Sequence, residues 1–273
     1  MAIFGAGAYA ALLRRAALPE PNARYVRVLF VIAATLALIS AIAWFSLIAG
    51  QMSGSWQGSV DPAVLELAAS GTRFGQIFVG RFIGLGVLWF LCILRQRGLV
   101  VSALAALLLA SLAPISHAAA AGAGDLGAIN AMGDATHLLT GGFWLGGLLV
   151  LAMLVPSHRA DPAGLLGPLR LFSIWGSYAV ALLVVSGLIN AFSILSLSAM
   201  SLRNAYFDVL LVKVGLALAM IALAALNRWR FAPALRNGGG RATRNLASSI
   251  GAEIALGVTV VGIAGYLGLM PPH

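Results

Sequence analysis

About seven apolar runs, each close to the ~20 residues that a helix needs to cross a bilayer, succeed one another along this chain. They cover residues 26–50, 75–94, 99–121, 137–155, 173–197, 207–226 and 250–269, and a shorter run over 2–13 precedes them. Lipid offers a backbone no hydrogen-bond partners, so a chain that stays in it for that long must close its amides within helices. Hydrophobic residues make up 61% of the sequence and charged ones 9%, against roughly 25% in soluble domains. A water-facing surface cannot be assembled from so few charges. The expected architecture is all-α: one polytopic transmembrane helix bundle over residues 1–273, of about eight helices, the first of them incomplete.

The formal charge of +9 does not indicate nucleic-acid binding, because the cations sit in short clusters between apolar runs rather than in one basic stripe. Their partner is the membrane lipid. Arg14, Arg15, Arg24 and Arg27 precede the first full span, Arg95 and Arg97 follow the second, Arg159 and Arg170 follow the 137–155 run, and Arg228 to Arg244 fill the last long loop. By the positive-inside rule these loops are expected in the cytoplasm, which leaves Asp61, Glu66, Asp125, Asp134, Asp208 and the C-terminal His273 on the outer side. Small residues recur at helix-packing spacing in Gly80 and Gly84, in Gly142 and Gly146, and from Gly257 to Gly268, where they allow close backbone approach.

No HExxH, no P-loop and no GxGxxG with an acidic partner occurs, and no nucleophile stands beside a base, so an enzyme is not expected. Cys92 is the only cysteine, which excludes an intramolecular disulfide and a CxxC metal site. Inside the apolar runs stand Arg81 and Lys213, the latter the only lysine among 17 cationic residues; each must snorkel to the surface or find a polar partner in a shared cavity. Glu253 is expected to pair with Arg228 or Arg244, and Asn190 to hydrogen-bond across helices.

Histidine and methionine carry the remaining chemistry. His117 closes the 99–121 run and His137 opens the next, so a short antiparallel connection brings the two imidazoles toward one outer mouth. Met52 and Met132 fall at the outer ends of helices as well. Imidazole and thioether together suit copper, the thioether being a soft donor for Cu(I). Asp134, three residues before His137, is placed to accept the other ring N–H and fix the tautomer that binds metal, or to cap a helix. Paired helix histidines can also ligate haem b, an electron-transfer alternative.

Several motifs in order resemble the copper-resistance protein D (CopD) family of bacterial inner-membrane proteins. They are Gly71-Thr-Arg-Phe-Gly75 leading to Arg81, Ser116-His117-Ala118, His137-Leu-Leu-Thr-Gly-Gly-Phe-Trp144-Leu-Gly146-Gly147, Ser186-Gly-Leu-Ile-Asn190-Ala191, Lys213, Leu223-Ala-Ala-Leu-Asn227-Arg228, and Glu253 followed by Leu267-Gly-Leu-Met-Pro271-Pro272. The resemblance implies movement of copper from the periplasm toward the cytoplasm, together with a periplasmic copper carrier, CopC. It matches His117 and His137 to family histidines at the outer mouth. A non-transporting partner that only docks the carrier is the other function it leaves open. Family members begin with a complete first helix, of which Phe4-Gly-Ala-Gly-Ala-Tyr9 resembles the second half.

Overall fold

A computed structural model describes residues 1–94, 98–115, 125–158, 161–195, 205–237 and 240–270. Every regular element among them is helical. The helices are α1 (Ala2–Arg15), α2 (Ala23–Ser53), α3 (Pro62–Gly71), α4 (Arg73–Ile93), α5 (Leu99–Ala110), α6 (Asp125–Ser157), α7 (Leu166–Leu195), α8 (Ala205–Leu226) and α9 (Gly240–Leu267). Six of these regions, those of α2, α4, α6, α7, α8 and α9, are long and apolar enough to cross a membrane.

Local chemistry sets several of the boundaries. Asn22 accepts from the Arg24 amide at 2.8 Å to start α2, and Gly54 ends it with φ +70, a left-handed turn that a side chain would strain. Asp61 caps α3 ahead of Pro62, and the Thr72 hydroxyl accepts from the Gly75 amide at 2.9 Å to start α4. The 10 residues of α3 are too few to span, so it is a short connecting helix where the sequence suggested only a loop. The run over 99–121 also shortens: α5 stops at Ala110 and a 3-10 turn at Ala113–Ile115 holds Pro114, which cannot donate to a continuing helix.

α6 is the axis of the bundle. Half of its most apolar stretch is buried, and α1, α5, α7 and α9 all pack on it, while α2 pairs with α4 and α8 with α9. The 14 residues of α1 reach only about 21 Å, but its inner face is fully enclosed. Gly5 on α1 lies against Gly142 and Gly146 on α6, and a Cβ at Gly146 would fall 2.5 Å from the Gly5 backbone. Gly80 and Gly262 have open space where a Cβ would stand, so of the small-residue pairs it is Gly142/Gly146 that carries backbone-to-backbone packing.

Tyr9 locks the middle of α1, its hydroxyl donating to the Pro168 carbonyl at 2.6 Å and its ring meeting Phe143 and Phe172 edge-on. Tyr9→Phe removes that bond with little change of shape. The expected cost is about 1 kcal/mol, a fall in melting temperature of about 2–4 °C for the detergent-purified protein. An unchanged melting temperature would show that the bond is not holding α1.

Candidate functional site

His137 does not open its helix. α6 begins at Asp125, so the imidazole stands roughly three turns inside, facing α7. Its Nδ1 lies 3.2 Å from the Leu183 carbonyl and 3.2 Å from the Ser186 hydroxyl. A carbonyl oxygen only accepts, so Nδ1 carries the hydrogen and Nε2 keeps a free lone pair. Ser186 spends its own hydrogen on the Leu182 carbonyl at 2.7 Å, which leaves its oxygen to accept from the ring. Gly187 makes the fit possible, since a Cβ there would sit 3.3 Å from the imidazole.

This corrects the expected role of Asp134. The carboxylate does not take the His137 ring N–H; it accepts from the side-chain amide of Asn190, one turn beyond Ser186 on α7. Nor does Asp134 cap α6, which starts nine residues earlier at Asp125. Gly133 admits the Asn190 side chain to α6. The Lys213 ammonium of α8 lies within electrostatic reach of both His137 and Asp134. α6 and α7 therefore share one polar cluster, α6 supplying His137 and Asp134 and α7 supplying Ser186 and Asn190, with the Lys213 charge of α8 felt at it. The Asn190 side-chain oxygen is buried in it without a partner.

The other expected site residues are distributed differently. His117 and His273 lie outside the described residues. Met132 is 70% exposed and stands five residues before His137, about 140° around the helix from it. Met52 is 54% exposed at the end of α2. Among the described residues no three His, Cys, Asp or Glu side chains converge as a metal-binding group. Arg81 neither snorkels nor joins Lys213: it is buried, donates to the Leu108 carbonyl and the Ser111 hydroxyl, and lies 5.6 Å from the centroid of the Phe78 ring. It thus satisfies one carbonyl at the C-terminal end of α5, where a cation is favoured by the helix dipole.

A second polar cluster lies farther along α6. Glu253 of α9 is 1% exposed and accepts from the Asn227 side chain, and the Trp144 indole hydrogen-bonds the same carboxylate. The expected ion pair with Arg228 or Arg244 is replaced by these neutral donors; Arg228 instead donates to the Ser177 hydroxyl at 2.9 Å. His137 and Trp144, seven residues apart, share one face of α6 about 10 Å apart along its axis. Asn227 begins a five-residue π turn, Asn227–Phe231. Trp144 and Asn227 belong to sequence motifs noted above, but nothing in their spacing announced that they meet Glu253.

The fold and these clusters define a multi-pass helical membrane protein with polar side chains held between its helices. Residues 1–128 match the profile of the copper resistance protein D-like N-terminal domain, and residues 167–267 match that of copper resistance protein D. The chain belongs to the copper resistance protein D family, and the relatives found agree. Copper resistance protein D of Pseudomonas syringae pv. tomato is 28% identical over 260 residues, which cover 88% of this chain and 82% of that protein. Inner membrane protein YebZ of Escherichia coli (strain K12) is 27% identical over 280 residues, 100% of this chain and 94% of the relative. Copper transport protein CutJ of Bacillus subtilis (strain 168) is 30% identical over 140 residues, 50% of this chain and 25% of that longer protein. No solved structure matches the chain.

Proposed function

We propose that this chain moves copper across the inner membrane from the periplasm toward the cytoplasm, with Nε2 of His137 as an entry ligand. The observation that carries the reading is the hydrogen bond from Nδ1 to the Leu183 carbonyl, which fixes the tautomer and aims a lone pair away from α7. Copper is the cargo, consistent with the family and with the transport named in the Bacillus subtilis relative. The inner-membrane placement follows the name of the Escherichia coli relative. The clusters of arginine at one set of helix ends orient the C-terminus toward the periplasm.

One imidazole is not a complete copper site. His117, in the segment between α5 and α6, is the second imidazole of the proposal, and the exposed Met132 and Met52 are outer thioethers that could receive copper from a CopC-like periplasmic carrier. Proteoliposomes holding a copper-responsive dye test the transport. Copper added outside is expected to reach the dye with the wild-type chain and to stop when both His117 and His137 become alanine; uptake that survives the double change contradicts the site. A Soret band in the purified protein, lost with His137→Ala, would favour haem b and electron transfer instead.

Lys213 adds a signed prediction. An ammonium near His137 repels a copper cation, so Lys213→Met is expected to tighten copper binding several-fold at the price of a slower release. Titration against a competing chelator checks it. Weaker binding in the variant would mean that Lys213 supports the site rather than opposing it.

A further inference from the structure

α7 and α8 scarcely touch one another, and between them the bundle opens into a cavity of about 900 Å³ at the end that carries Arg170, Arg228 and Arg236. α6 and α9 close its floor through Trp144 and Glu253. The walls are apolar, with Leu169, Phe172, Val180 and Ile221 facing the space. The three arginines come from three segments: α7, the π turn after α8, and the 3-10 turn at Leu235–Asn237. All three are exposed, and Arg228 is tethered to Ser177 of α7. The one acidic residue lining the cavity, Glu253, is buried at the floor, so nothing acidic among the described residues of the lining offsets the rim. Trp229 beside the rim is 75% exposed, as befits a side chain at the bilayer interface.

We infer that this crevice holds a phospholipid with an anionic headgroup, its phosphate on the three arginines and an acyl chain between α7 and α8. A gap of this size is at the upper end of ligand pockets, roughly 300–1,000 Å³, and an empty one would forfeit packing on every wall. Lipid tails are as apolar as the walls, so no hydrophobic force draws the two helices together to close it. A soluble anion would use the rim and leave the apolar walls bare. Basic pockets between transmembrane helices on the cytoplasmic side are matched to anionic headgroups. This inference does not depend on copper.

Native mass spectrometry of the full chain in neutral detergent, titrated with phosphatidylglycerol or phosphatidylcholine of the same acyl chains, tests it. One phosphatidylglycerol is expected to be held at least tenfold more tightly than phosphatidylcholine. Arg170→Gln, Arg228→Gln and Arg236→Gln together should erase the preference, at about fivefold per arginine. The control set Arg15→Gln, Arg24→Gln and Arg27→Gln should leave it intact. Gly176 lines the crevice and has room for a Cβ, so Gly176→Phe keeps the arginines, fills the space and is expected to weaken both lipids. Equal binding of the two lipids, a preference that survives the rim triple or is lost equally in the control, or glycerol phosphate binding as tightly as phosphatidylglycerol would each overturn the inference.

Discussion

His137→Ala is expected to lower copper affinity by more than about 100-fold, while Ser186→Ala lowers it by about 10- to 100-fold, the range for a change in the group that orients a ligand. The two differ because His137 would supply the donor atom, whereas Ser186 only accepts from Nδ1 and shares that bond with the Leu183 carbonyl. Losing Ser186 leaves the tautomer fixed by Leu183 but lets the ring turn. His137→Asn is expected to fail as fully as alanine, since its shorter amide cannot hold Leu183 and present a nitrogen together. Chelator-competition titration of the purified variants separates the cases. Equal effects of the serine and histidine changes would mean that the imidazole is structural.

The largest effect on stability is expected at Gly146. A Cβ there would sit 2.5 Å from both the Cα and the carbonyl carbon of Gly5, backbone atoms that cannot swing aside as a side chain can. Gly146→Leu must push α1 away from α6, and with it the seat of Tyr9 at the Pro168 carbonyl. The expected loss is about 3 kcal/mol or more, a fall in melting temperature on the order of 10 °C or failure to fold. Gly80→Leu, whose Cβ would meet open space, is the matched control and is expected to stay within about 0.5 kcal/mol of wild type. A similar loss at both positions would show that glycine matters for something other than the α1–α6 contact.

Hydropathy alone located the spanning helices, because each apolar run had to be helical in lipid. It was poorer at their ends. The stretch from Asp125 to Thr136 holds Gly127, Asn130, Gly133 and Asp134, and so reads as a loop; in the fold it is the first part of α6, because Asn190 and α7 give its polar side chains partners that a single sequence cannot display. Pro114 did mark the end of α5, and the apolar residues beyond it hid that signal.

The candidate site was legible in kind and not in wiring. His137 stood out as a ring that opens an apolar run near His117, but one of its two partners is the Leu183 main chain, and any residue could supply that carbonyl. Ser186 and Asn190, four apart and therefore on one face of α7, were a readable pair; their division between His137 and Asp134 was not. Glu253 was expected to need a cation because arginines crowd its end of the sequence. The fold meets it with Asn227 and Trp144 instead and leaves its second oxygen without a partner, while Arg228 turns to α7.

Copper-edge X-ray absorption of the purified, copper-loaded protein tests the His137 site most directly. Imidazole scattering around copper is expected in the wild-type chain and should weaken when His137 becomes alanine, with the fold intact by melting temperature. An identical spectrum from the alanine variant would place copper elsewhere in the bundle and contradict an entry ligand at His137.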